Sequence, residues 1–179
     1  MTQPPASPSD ASTLCVSCGL CCNGVLFDHA KAEPEEVPRL QAFGLEPRLV
    51  EEKLQFGLPC RHLDCGRCTI YEDRFAICRS FRCSLLKRLG AGDVALPEAL
   101  ATVGKAKAMV ARVAALDPAA AQVSRRVALR REGAPPAGSG ETERTAQRLW
   151  VEALALDTFL DARFRNKPAR KDRDAAPAD

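Results

Sequence analysis

Residues 15–22 read CVSCGLCC, so four of the nine cysteines of the chain lie within eight residues. Gaps of two residues allow a tight loop to turn successive thiols toward one point, and Gly19 can adopt the positive φ that such a turn often needs. The adjacent Cys21 and Cys22 are harder to aim at a single ion, because the side chains of neighbouring residues tend to diverge. The segment therefore predicts a metal-binding loop that serves two sites or one multinuclear site.

The other five cysteines also lie in the first half of the 179-residue chain, at Cys60, Cys65, Cys68, Cys78 and Cys83. The spacing of Cys60, Cys65 and Cys68 matches the first three ligands of plant-type ferredoxins, whereas pairs of cysteines separated by two residues also suit zinc. The spacing leaves zinc and an iron–sulfur cluster both open.

The segment that holds the cysteines has few large aliphatic residues and cannot bury much apolar surface. Small domains of this kind usually need disulfides or a metal to fold. The odd number of cysteines and the lack of a secretory signal in MTQPPASPSDAST disfavour disulfides and predict a cytoplasmic location. We expect His29 and His62 to be surface residues or neighbours of a ligand, because the supply of thiols is already sufficient.

The distribution of residues predicts an α+β protein in which a small metal-stabilised cysteine-cluster domain, with short helices and strands, precedes a helical C-terminal region. We expect a disordered leader over 1–13, the metal-binding domain over 14–88, the helical region over 89–165 and a flexible tail over 166–179.

Apolar residues spaced three or four apart predict two amphipathic helices in the C-terminal region, one from Pro97 to Leu116 and one over 141–165. A third helix is predicted from the Asp117-Pro118 start signal to Arg131. In the cysteine half we expect short strands and short helices. The strands are placed at 25–27 and 69–71, and the helices at 38–44 and 47–54.

Composition narrows the range of functions. No run of 18 apolar residues is present, so we expect no membrane-spanning helix. The net charge is +3 and aromatic residues make up 5% of the chain, which disfavours a nucleic-acid surface based on stacking. The arginines that could contact nucleic acid have opposite charges interspersed among them; they are Arg125, Arg126, Arg130 and Arg131.

The cysteine pattern, together with Pro59, Gly66-Arg67, Ile70-Tyr71-Glu72, Arg74, Arg79 and Phe81, resembles the bacterial CxxCxxCC cysteine-cluster family of zinc- or iron-chelating domains. This grouping includes flagellin lysine N-methylases. The resemblance implies eight metal ligands, namely Cys15, Cys18, Cys21, Cys22, Cys60, Cys68, Cys78 and Cys83. Cys65 is an additional cysteine, and Phe75 and Arg82 stand where the family pattern has proline.

These observations predict a cytosolic protein that coordinates zinc, or iron as an iron–sulfur cluster, through clustered cysteines. The alternative is an iron–sulfur-dependent redox or methyl-transfer enzyme, similar to a protein lysine N-methylase. The C-terminal region carries no recognisable methyl-donor site, so enzymatic activity stays open. Besides the metal ion, we expect a protein partner to dock on the C-terminal helices.

Overall fold

The structure, a computed structural model, describes residues 8–166 and has the predicted α+β class. The elements of the cysteine half are helix α1 (Pro8–Cys18), strand β1 (His29–Lys31), helix α2 (Val37–Ala42), strands β2 (Pro47–Val50), β3 (Lys53–Gly57), β4 (Leu63–Asp64) and β5 (Arg67–Cys68), and helix α3 (Ala76–Ser80). The helices that follow are α4 (Ser84–Ala91), α5 (Leu96–Leu116), α6 (Val123–Glu132) and α7 (Glu141–Arg163). Short 3-10 helices cover Pro34–Glu36 and Pro118–Ala121.

The main core is built around the two long helices α5 and α7, which pack against each other. The predicted apolar stripes face this contact, with Val103 and Val113 of α5 and Leu156 and Leu160 of α7 buried. Helices α1 and α4 also pack on α5, so the helix that bears the first cysteines belongs to the main core. Across residues 8–166 no helix is long and apolar enough to cross a membrane.

A second, smaller core lies beneath an antiparallel sheet with strand order β1-β3-β2. Its fully buried members are Ala32, Leu40, Leu45, Phe56 and Phe75. Strands β4 and β5 form a separate two-stranded hairpin, with Leu63 opposite Cys68. This small core supports the segment from residue 29 to residue 80, which contains four of the nine cysteines.

Several local predictions were wrong. The segment 47–54 is not a helix but most of a β-hairpin, because Glu51 and Glu52 take positive φ values of 47° and 62° and turn the chain back on itself. Residues 25–27 form no strand, and the second short strand is β5 rather than 69–71. The helix predicted after Asp117 is divided, since Gln122 has an extended backbone between the 3-10 helix and α6.

Residues 8–13, which were expected to belong to an unstructured leader, form the first turns of α1. Leu14 is buried in the main core and Ala11 packs against it, which gives this part of the chain a reason to be helical. Residues 1–7 of the expected leader and 167–179 of the expected tail lie outside the described residues.

Candidate metal centre

The first cysteines lie at the end of α1 and in the turn that follows it. Gly19 ends the helix with φ 68°, and its N–H donates to the carbonyl of Cys15 at 3.2 Å. The Gly19 carbonyl then accepts hydrogen bonds from the N–H groups of Cys22 and Asn23, both at 3.0 Å. The chain thus folds tightly around Gly19, which keeps the four thiols of residues 15–22 in one region.

Cys83 reaches this region from a distant part of the sequence. It is the N-cap of α4, and its Sγ accepts a hydrogen bond from the N–H of Leu86 at 3.4 Å. Because α4 packs on α1, the Cys83 thiol is placed near the thiols at the end of α1.

The remaining cysteines belong to the small lobe, which is the segment 29–80 built on the second core. The N–H of Cys60 donates to the carbonyl of Cys22 at 2.7 Å, which joins the two cysteine-bearing segments directly. Cys68 lies on β5, and Cys78 lies on α3. The Glu36 carboxylate accepts a hydrogen bond from the N–H of Ala76 at 2.8 Å and so fixes the start of α3.

Four thiols form one electrostatic group. The pKa of Cys18 is raised to about 11, mainly by burial, and the thiols of Cys83 and Cys15 contribute in the same direction. Burial also holds the pKa of Cys21 well above its ordinary value, with the thiols of Cys18 and Cys83 as the next causes. The pKa of Cys15 is raised by burial and then by Cys83. These four residues therefore lie within reach of one another's charge.

Four other thiols form a second group. Burial raises the pKa of Cys22 to about 12, followed by the effects of Cys78, Cys60 and Cys68. Burial raises the pKa of Cys78 to about 11, again with Cys60 and Cys68 as the next causes. The thiols with the largest effect on the pKa of Cys21 therefore differ from those with the largest effect on its neighbour Cys22.

Cys65 stands apart from both groups. It is exposed, takes a positive φ of 46° and occupies the turn between β4 and β5. Among the described residues, no other thiol has Cys65 as a main cause of its raised pKa.

All nine thiols are free. Within residues 8–166, no three Cys, His, Asp or Glu side chains are already drawn together as a metal-binding group. The donor set nevertheless fits a thiophilic metal, because two groups of four thiols match the four-cysteine ligand sets of zinc and of iron–sulfur clusters. Binding requires the thiols of each group to lose their protons and move closer together.

Cations lie beside both groups. Arg82 and Arg74 oppose the effect of burial on the pKa of Cys15, and Arg74 does the same at Cys78. The Arg74 guanidinium lies 3.6 Å from the centre of the Tyr71 ring. Lys107 acts in the same sense on Cys18, and its Nζ donates to the carbonyl of Ser17 at 2.6 Å. Lys107 lies 24 residues after the last cysteine, so the cysteine spacing gave no signal for it.

The histidines are engaged elsewhere. Nε2 of His62 donates to the carbonyl of Phe43 at 2.7 Å, and its Nδ1 lies 3.3 Å from Oγ1 of Thr69. His62 thereby fastens the loop between Cys60 and β5 to the small lobe. The exposed His29 contacts the carboxylate of Asp28 at 2.7 Å.

No curated protein and no solved structure matches the chain. A family model does match it, over residues 14–105, which is just over half of the 179 residues and includes all nine cysteines. The chain belongs to this family, CxxCxxCC, which is described as a putative zinc- or iron-chelating domain.

Proposed function

We propose that the protein binds two metal centres, each through four cysteine thiolates. Site A comprises Cys15, Cys18, Cys21 and Cys83, and site B comprises Cys22, Cys60, Cys68 and Cys78. The observation that carries the proposal is how the chain brings the thiols together: Cys83 caps α4, which packs on α1, and the N–H of Cys60 donates to the carbonyl of Cys22. The main effects of the thiols on one another's pKa favour the same two groups, with weaker effects of Cys22 on Cys21 and of Cys18 on Cys22 between them. The chemistry of the family, chelation of zinc or iron, supports it.

Metal binding at these sites displaces protons. The pKa values of about 11 and 12 at Cys18 and Cys22 keep these thiols protonated near neutral pH until a cation stabilises the thiolates. A zinc ion with four thiolates leaves a net charge of about −2 at each site. Arg74, Arg82 and Lys107 are positioned to offset that charge.

The test is the metal content of the protein purified without oxygen. We expect two centres per chain. They are either two zinc ions in a colourless protein or iron with sulfide and absorbance at about 400 nm. Cys18→Ser should remove the centre of site A and Cys78→Ser that of site B, whereas Cys65→Ser should keep both. A wild-type protein without tightly bound metal, or a single centre that is lost in both variants, would contradict the proposal.

One observation favours a second candidate function. Cys15 of site A and Cys78 of site B are enclosed by protein only in part, enough to raise their pKa, and both keep exposed surface, so each site reaches the solvent. If the metal is an iron–sulfur cluster, this position suits electron transfer to a partner or the methyl-transfer chemistry of the lysine N-methylases. A reversible change of the visible spectrum on reduction, or binding of S-adenosylmethionine, would support the enzyme. Colourless zinc sites would exclude it.

The proposal includes a cytoplasmic location, for which the free thiols are suited, and a protein partner on the C-terminal helices. The exposed Val151 and Leu154 of α7 support the partner. Three of the four arginines considered for nucleic acid instead form ion pairs with carboxylates of the protein itself; they are Arg125, Arg126 and Arg130. Contact with nucleic acid is not part of the proposal.

A further inference from the structure

Residues 23–26, which follow Cys22, are held by hydrogen bonds from the C-terminal part of the chain. Four consecutive carbonyls, of residues 23–26, each accept a hydrogen bond from a donor beyond residue 121. The pairs are Asn23 with Nε2 of Gln122 at 3.2 Å, Gly24 with the N–H of Val123 at 2.9 Å, Val25 with Nη2 of Arg126 at 2.6 Å, and Leu26 with Nη2 of Arg165 at 3.5 Å. The carbonyls after the vicinal cysteines thus accept hydrogen bonds from Val123 and Arg126 of α6, from Gln122 just before α6, and from Arg165 just after α7.

Arg126 is the central donor and is fully buried. Its guanidinium also donates to the carbonyl of Ala120 at 3.1 Å and of Ala121 at 2.6 Å, and Nε donates to Asp157 at 3.1 Å. A buried guanidinium is costly unless its donors are all engaged. These bonds tie the cysteine half to the C-terminal helices at a single side chain.

Asp157, which is 1% exposed, anchors the network. Its carboxylate accepts a hydrogen bond from Arg126, and the guanidinium groups of Arg165 and Arg130 lie 3.4 Å and 3.7 Å from it. The Asp157 carboxylate holds Arg126 in place, and Arg126 in turn donates to the carbonyl of Val25.

Gln122 makes the closest approach to the cysteine segment. A Cβ on Gly24 would lie 1.9 Å from Oε1 of Gln122, and Gly24 has a positive φ of 80°. A side chain at this position would have to adopt an unfavourable φ and displace the Gln122 side chain, so the backbone just after Cys22 lies directly against Gln122.

We propose that the C-terminal helices position Cys21 and Cys22 for metal binding, with Arg126 and Gln122 as positioning residues. The inference rests on the proposed function. It extends that function because both residues lie beyond residue 105, where the match to the metal-chelating family ends. Cys21 of site A and Cys22 of site B come immediately before residues 23–26, so the hydrogen bonds to these residues act on both sites together.

The experiment measures metal release from the full-length, metal-loaded protein to an excess of a chromogenic chelator. Gln122→Met keeps the volume of the side chain but removes its donor, and Arg126→Met removes three carbonyl contacts. Release should become roughly 10- to 100-fold faster, which is the usual effect of losing a group that orients a metal ligand. The matched control is Arg125→Met on the same helix, whose partners are Asp117 and Glu132 rather than residues 23–26. It should leave the rate within about twofold of the wild type.

Metal content shows whether the proposed function or only the inference fails, and circular dichroism shows whether each variant folds. A wild type without metal would overturn the proposed function and the inference with it. A wild type with two centres whose release rate is unchanged by Gln122→Met would overturn the inference alone. Equal acceleration by Arg125→Met would also overturn it, because the effect would then reflect general stability. If Arg126→Met does not fold, Gln122→Met decides the question, since it leaves the buried ion pair intact.

Discussion

Phe75 offers a test of whether the small lobe has a stability of its own. Its ring is 1% exposed, with the ring centres of Phe56 and Phe43 at 5.5 Å and 6.2 Å. The guanidinium carbon of Arg39 lies 4.7 Å from the centre of the same ring. Phe75 also precedes α3, the helix that carries Cys78. Phe75→Ala therefore removes the middle of the small core and loosens one ligand of site B.

Removal of a fully buried phenylalanine costs about 3–5 kcal/mol. Since the buried residues of the small lobe form a cluster separate from the main core, the cost should fall on the lobe. Amide hydrogen exchange of the metal-loaded protein provides the assay. We expect the amides of β3 to exchange about 10²- to 10⁴-fold faster, and those of α5 to change little.

Leu156→Ala is the matched control, because Leu156 is fully buried in the main core. Its deletion should speed exchange in α5 and α7. The reasoning is refuted if Phe75→Ala accelerates α5 as much as β3, because the two cores would then unfold as one cooperative unit.

Three further predictions concern the loop and the thiols. Gly24→Ala combines the positive φ with the contact to Gln122, so it should destabilise the protein by about 1–3 kcal/mol in urea unfolding, and an unchanged midpoint would contradict the described loop. The pKa values of Cys18 and Cys78 are about 11 in the folded protein against 9.0 for an ordinary thiol. The folded state therefore retains protons that the unfolded chain loses, and the melting temperature of the metal-free protein should fall as the pH rises from 9 to 11. A chelator should reduce order in residues 60–83 while most of the helical circular dichroism remains, and loss of the whole helical signal would show that the main core needs metal.

The long helices of the C-terminal region could be predicted from the sequence because their apolar spacing is a local pattern. The apolar spacing in α5 and α7 repeats over five or more turns, so the pattern outweighs the preferences of single residues. The hairpin over 47–57 was missed because its turn uses Glu51 and Glu52, which rarely adopt positive φ. Such a turn is imposed by the pairing of β2 with β3, which no short window of sequence contains.

The candidate site also combines features that a local sequence pattern predicts with features that depend on tertiary structure. The cysteine spacing was sufficient to predict a metal-binding protein, and the adjacent Cys21 and Cys22 predicted two sites or one multinuclear site. The pairing of Cys83 with the end of α1 depends on how α4 packs on α1, and the cations beside the thiols depend on side-chain positions. Contacts of this range arise from tertiary structure, so the grouping of the thiols and the presence of Lys107 emerged only in three dimensions.

The proposed division of Cys21 and Cys22 between two sites would have a consequence for the order of loading. A single peptide bond joins one ligand of each proposed site, so the first metal to bind would restrict the freedom that the hydrogen bonds of residues 19–26 leave to this backbone. Fixing one residue completely costs about 1–2 kcal/mol of conformational entropy, and this is the upper limit of the cost that the second ion would no longer meet. The two centres should therefore fill cooperatively, with the second affinity raised by at most roughly 5- to 30-fold.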